Sequence, residues 1–136
     1  MKRIFKNYKK WMSVKSKVNN NNRIIRFNEG DVVWVAIGEN VGVEIDGKGE
    51  KYSRPVIVLK KHTGRCFTGV PLTSKQRTGN WYFKFRFQEK DQFAVLIQTK
   101  LIDAARIYKR MGKLSNKDYN DVLNAYIHFV QNKNMP

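Results

Sequence analysis

Between Gly30 and Ile97 the apolar residues fall into short β-branched and aromatic runs, and no stretch of helical period separates one run from the next. That pattern argues against the alternating strand and helix layout of a parallel sheet and favours an antiparallel one. Val32, Val33, Trp34, Val35, Ala36 and Ile37 form the first run. Val56 to Leu59 follow Pro55 as the second, and Cys66 to Leu72 form the third. His62, Thr63 and Gly64 supply the turn between these two, and Pro71 marks a strand end or an edge. Trp81, Phe83, Phe85 and Phe87 alternate with Tyr82, Lys84 and Arg86, the period of a half-buried strand with a basic outer face. Phe93 to Ile97 gives one more strand, and Arg106 to Tyr108 a short last one. The stretch from Gly38 to Ser53 is rich in glycine and charge and reads as a long loop. Five or six short strands closed by a helix predict a small barrel or a strongly curved antiparallel sheet.

Helical signals occur only at the two ends. Ser115 with Asp118 makes a capping-box-like start, followed by Tyr119, Val122, Leu123, Tyr126, Ile127 and Val130 at helical spacing. Near the N-terminus Ile4, Phe5, Tyr8, Trp11 and Met12 lie on one helical stripe with lysines around it. The run Asn19 to Asn22 favours turn conformations and offers no apolar face, so it ends that helix and serves as a linker. The expected organisation is a basic helix and linker over residues 1–22 and one body over 23–136, which a chain of 136 residues can fill with a single core.

Charge narrows the partners. The 27 Lys and Arg against 11 Asp and Glu give a net charge of +16, and nine of those bases stand in residues 1–28 without a single acid. A polyanion is the natural partner for such a surface, and aromatics among cations suit single-stranded nucleic acid. The opposing reading is that the alternating aromatics are core and the outward Lys84 and Arg86 a solvated face. No run approaches the 18 to 20 apolar residues of a membrane span, nor is there the apolar stretch of a secretory signal. These features predict no membrane association and a cytoplasmic, reducing compartment.

Most catalytic arrangements lack their parts. Cys66 is the single cysteine, and with two histidines it cannot build a tetrahedral zinc site without several carboxylates, so no metal and no cofactor are expected. His62 and His128 have no neighbouring carboxylate in sequence to orient them, and Cys66 in a strand reads as a small buried hydrophobe. The glycines from Gly42 to Gly49 are followed by neither Gly-Lys-Ser/Thr nor a helix, so they do not form a phosphate-cradling loop.

Three segments, taken in order, resemble the MazF/PemK (Kid) toxins. The first comprises Gly30-Asp31-Val32-Val33-Trp34-Val35, then Gly42-Val43-Glu44 with Gly47, then Arg54-Pro55-Val56-Ile57-Val58-Leu59. The second is Val70-Pro71-Leu72-Thr73-Ser74, and the third Gln98-Thr99-Lys100-Leu101-Ile102-Asp103. The resemblance implies an SH3-like barrel with a C-terminal helix, to which this chain adds the N-terminal one. It further implies a homodimer and a sequence-specific endoribonuclease that cuts single-stranded RNA without a metal, paired with an acidic antitoxin. By the same resemblance Arg54 and Thr73 are the catalytic residues. Ser74 is the alternative to Thr73, because adjacent strand residues face opposite ways. Glu44, Ser53, Ser74, Lys75, Gln98 and Lys100 are the expected RNA contacts, with Arg77 in the same loop as Lys75.

The chain also departs from the pattern. Ile45 stands where many members have glutamine, Ser53 precedes the Arg-Pro where some have histidine, and the loop from Glu44 to Arg54 is longer. Two other readings stay open on the residues alone: a non-catalytic SH3-like module that only binds RNA, and a gyrase-poisoning toxin of the same fold. The N-terminal helix likewise has two readings, as an added surface for RNA or ribosomes or as a helix docked on the barrel through Trp11 and Tyr8.

Overall fold

A computed structural model describes residues 5–21 and 23–132. Helix α1 (Tyr8–Asn19) precedes strands β1 (Asp31–Ala36), β2 (Ser53–Thr63), β3 (Cys66–Thr73), β4 (Tyr82–Phe87), β5 (Lys90–Val95), β6 (Lys100–Asp103) and β7 (Ile107–Lys113), and helix α2 (Asn116–Gln131) ends the chain. Short 3-10 turns at Leu96–Gln98 and Ala104–Arg106 flank β6. All pairings are antiparallel, in the order β4-β5-β3-β2-β1-β7, with β6 added to β3.

Strand β3 makes the sheet curl. Its first half pairs with β6 from Cys66 opposite Asp103 to Gly69 opposite Lys100, while Leu72 and Thr73 at its end pair with Ala94 and Phe93 of β5. The far edges approach through side chains: Gln88 after β4 donates from Nε2 to the Met111 carbonyl of β7 at 3.0 Å. The result is the small barrel-like sheet with a C-terminal helix and an additional N-terminal one that the sequence leads one to expect.

The central strands are buried on both faces, which explains their unbroken apolar runs. Val32, Ile57, Leu59, Val70 and Leu72 face one core with Phe85, Phe87 and Val122 of α2. Val33, Val35, Val56, Val58 and Phe67 face a second core with Phe27, Ile102 and Ile107. Asp31, the acid of the Gly-Asp pair, is almost fully buried. It accepts from the Asn28 N–H at 2.8 Å and from Nη2 of Arg110 at 2.9 Å, so it closes the turn into β1 and ties β1 to β7.

Several boundaries differ from the sequence expectation. β6 is not foreseen, β7 runs five residues beyond Tyr108 to Lys113, and β5 ends at Val95 rather than Ile97. The turn after β2 falls at Gly64 and Arg65, leaving His62 inside the strand with a ring nitrogen 2.7 Å from Thr68 Oγ1. Helix α2 starts as predicted, Ser115 Oγ accepting from the Asp118 N–H at 3.1 Å. On its far end Phe129 packs on the core, while Ile127 and Val130 are exposed.

Helix α1 ends at Asn19, within the asparagine run. Its apolar stripe is not the expected one. Trp11 is buried, but Phe5 and Met12 are exposed, Ile4 lies outside the described residues, and the half-buried positions that continue the stripe are Val14 and Val18. Spacings of three and four from Trp11 toward the C-terminus replace the same spacings toward the N-terminus.

Tyr119 anchors α2 by donating its hydroxyl to the Leu59 carbonyl at 2.6 Å. Desolvation, and secondarily Glu29, raises its pKa above the ordinary 10.0. Its contribution is therefore complete below pH 10 and is lost as the pH climbs through the raised value. Tyr119→Phe is expected to cost about 1 kcal/mol at neutral pH by loss of that hydrogen bond. A thermal melt repeated from pH 7 to above pH 10 checks this: the variant's deficit at neutral pH should shrink in alkali.

Candidate active site

The pairing of β2 with β3 runs from Thr63 opposite Cys66 to Val56 opposite Pro71 and stops there. One step further in the same register, Pro55 stands opposite Leu72, and proline has no N–H to continue the ladder. The Leu72 carbonyl accepts instead from Nη1 of Arg54 at 3.2 Å. A second step brings Arg54 across from Thr73, where β3 has already turned to pair with β5. The Arg-Pro dipeptide therefore both ends the ladder and places a guanidinium in the gap.

Arg54 is held on a second side by the long loop over residues 37–52, its Nε donating to the Asp46 carbonyl at 2.7 Å. With Nε and one Nη1 hydrogen engaged, the Nη2 hydrogens remain for an incoming group. Burial lowers the Arg54 pKa, Asp46 opposes that shift, and Arg77 adds to it. A half-desolvated cation beside a second cation is a site that favours an anion.

Two cavities meet at this point. The first, about 200 Å³, is lined by Lys48, Arg54, Thr73, Lys75, Arg77 and Gln98 among others, with Tyr82 and Val95 at its wall and no carboxylate. The second, about 410 Å³, shares Lys48, Arg54 and Thr73 and adds Trp34, Ser53, Ser74, Lys90 and Gln92. Thr73, the last residue of β3, is 8% exposed and lines both, whereas Ser74 beyond the strand end lines only the second, so the two residues share one cavity and Thr73 alone reaches the other. Thr73 Oγ1 accepts from the Lys75 N–H at 3.3 Å, which leaves its own hydrogen to donate. Ser53 Oγ stands 3.1 Å from the Tyr108 hydroxyl.

A third, smaller cavity of about 170 Å³ brings Glu44, Gln98 and Lys100 together. Glu44 Oε1 accepts from the Val41 N–H at 2.9 Å. Lys100 has its pKa lowered by desolvation and then by Arg106, against Glu44. Gln98 is committed within the protein: Oε1 accepts from the Ile45 N–H at 3.2 Å and Nε2 donates to the Val43 carbonyl at 2.9 Å. Both ends of the amide clamp the loop, a structural task that the sequence reading does not foresee for this residue.

The structure thus brings Arg54, Thr73, Lys75 and Gln98 to one cavity, Ser53 and Ser74 to its neighbour, and Glu44 and Lys100 to a third that shares Gln98. Sequence reasoning misses Lys48, Trp34 and Gln92. Lys48 sits in an irregular loop and carries no periodic signal, while Trp34 reads as one more core residue of an apolar run. Among the described residues no group of three or more His, Cys, Asp or Glu is placed to hold a metal ion, and no helix is long and apolar enough to cross a membrane.

Comparison with known proteins adds the family. The model for PemK-like, MazF-like toxins of type II toxin–antitoxin systems matches residues 28–130, and the chain belongs to that family. Among solved structures, the Mycobacterium tuberculosis toxin MazF-mt6 superposes with a TM-score of 0.51 at 14% identity, over 72% of this chain and 92% of that one. At that identity the likeness speaks for the fold. No curated protein matches the sequence.

Gln98→Ala removes both bonds to the loop and is expected to destabilise it locally by about 1–2 kcal/mol. Backbone hydrogen exchange at residues 43–45 should accelerate by roughly tenfold while exchange in β2 stays unchanged.

Proposed function

We propose that this protein is a sequence-specific, metal-independent endoribonuclease acting on single-stranded RNA, the toxin of a type II pair. The observation that carries the reading is the free edge of the Arg54 guanidinium, across from Thr73, between two cavities lined by cations. Two cavities on either side of one arginine suit a chain substrate whose nucleotides extend both ways from a central phosphate.

In the proposed reaction the ribose 2′-oxygen attacks the adjacent phosphorus as it loses its proton, and the 5′-oxygen leaves and takes one up. The products are a 2′,3′-cyclic phosphate and a 5′-hydroxyl. Negative charge grows on the non-bridging oxygens at the transition state, where the Nη2 hydrogens of Arg54 and the Thr73 hydroxyl donate to them. A planar guanidinium fixed by two backbone carbonyls needs little reorganisation as that charge develops. Lys48, Lys75 and Arg77 attract the flanking phosphates. The donor set is cationic, so it supplies the charge stabilisation that a divalent ion provides elsewhere and offers such an ion few ligands.

Glu44, Ser53, Ser74 and Lys100 line the neighbouring cavities and are proposed to contact RNA. Gln98 contributes by shaping the loop. The active species is proposed to be a cytoplasmic homodimer, with an acidic antitoxin whose charge complements a chain of net +16. The body that carries the nuclease is residues 23–136.

The experiment is incubation with a long single-stranded RNA in EDTA, with mapping of new ends. The expected result is cleavage at a short recurring sequence that leaves cyclic phosphates. Arg54→Ala is expected to lower kcat by about 10²–10³ and Thr73→Ala to lower it by a smaller factor. RNA that is retarded in a gel yet never cut would replace this reading with the binding module.

A further inference from the structure

The matched family segment begins at residue 28, so α1 and the residues before it stand outside it. The helix packs in part on the turn Ala104–Arg106, whereas the contacts of Lys6, Tyr8 and Trp11 converge on one loop. Lys6 Nζ lies 2.9 Å from Asp46 Oδ2 and donates to the Asn40 carbonyl at 2.6 Å, and Tyr8 donates its hydroxyl to that same carbonyl at 2.9 Å. Asp46 Oδ1 accepts from the Asn40 N–H at 2.6 Å, and its backbone carbonyl is the one that holds Nε of Arg54. A single residue of the loop therefore joins Lys6 on one side to Arg54 on the other.

Trp11 secures the two ends of the same loop. Its ring lies over Gly38, whose φ of +94° and lack of a side chain make the seat, since a Cβ there would meet the indole at 2.2 Å. It also packs on Tyr52, with centroids 5.4 Å apart, and the Tyr52 carbonyl accepts from the N–H groups of Ile37 and Gly38.

We propose that Lys6 and Trp11 are positioning residues of the site: they fix the 37–52 loop so that the Asp46 carbonyl holds the Arg54 guanidinium in register with Thr73. The inference rests on the reading of Arg54 as the phosphate-binding group. An irregular loop of this length carries a large ordering cost of its own, and a displaced guanidinium loses transition-state contact before it loses RNA affinity. Lys6 is not placed as an RNA contact. Its side chain is 13% exposed and its ammonium donors are directed at Asp46, Asn40 and Gly42. The exposed lysines of α1, such as Lys9, Lys10 and Lys15, are the ones that face solvent.

The test uses the full chain, with Lys6→Met, Lys6→Arg and Trp11→Ala beside the wild type. Two readouts are taken: cleavage kinetics on an RNA carrying the mapped cut site, and hydrogen exchange of the Arg54 Nε–H by NMR, assigned by its loss in Arg54→Lys. Lys6→Met and Trp11→Ala are expected to lower kcat about tenfold with KM within about twofold, and to speed Nε–H exchange by a similar factor. Lys6→Arg, which keeps the ion pair, restores both. Wild-type exchange in Lys6→Met and Trp11→Ala, or a raised KM with unchanged kcat, overturns the inference. A wild type that cuts no RNA overturns the nuclease reading alone, and the exchange rate then still decides whether the N-terminal segment holds the arginine.

Discussion

A ladder that ends at Pro55 and Pro71 is the constraint on which the site depends. Strands β2 and β3 pair with two register shifts and then hold one register from Val58 to Val56, and both faces of β2 are needed for the two cores. Where Pro55 withholds its N–H, β3 is free to leave β2 and pair with β5, and the carbonyl of Leu72 passes to a side chain. Buried carbonyls need partners, and here the partner is the guanidinium of the residue just before the proline. The sheet's curl and the placement of Arg54 are thus two outcomes of one missing hydrogen-bond donor.

The electrostatics follow from that placement. Arg54 is half-buried, anchored by carbonyl oxygens rather than by a carboxylate, and has Arg77 nearby. Backbone oxygens orient a cation without neutralising it, so the charge remains for a ligand. Elsewhere the protein does neutralise its cations: Arg110 lies on Asp31, and Lys117 on Asp121. The contrast separates the arginine that builds the sheet from the arginine that faces the cavities.

Much of this fold is legible from residue pattern because β-branched runs buried on both faces have few alternatives. β6 escapes that reading because only Ile102 of its four residues is buried and 3-10 turns flank it on both sides. β7 reads short because, past Tyr108, it continues through Lys109, Arg110, Gly112 and Lys113, an edge with few apolar residues to signal it. Trp11 has apolar residues at helical spacing in both directions along α1, and only tertiary contact selects Val14 and Val18. At the site, Arg54 and Thr73 are visible as family motifs, but their juxtaposition follows from register, which composition does not carry. Lys48 and the clamp made by Gln98 depend on the path of an irregular loop, and no local periodicity encodes that path.

The seat of Trp11 has a spectroscopic consequence. The three tryptophans of this chain occupy three different environments: Trp11 is buried against Tyr52 under the N-terminal segment, Trp34 lines the cavity on one flank of Arg54, and Trp81 stands 36% exposed. An indole in a dry seat emits at shorter wavelength than one in water, and a ligand stacking on an indole quenches it. Intrinsic fluorescence from this protein is therefore a composite, in which release of the helix moves Trp11, occupation of the cavity moves Trp34, and general unfolding shifts these two indoles together while the exposed Trp81 changes least.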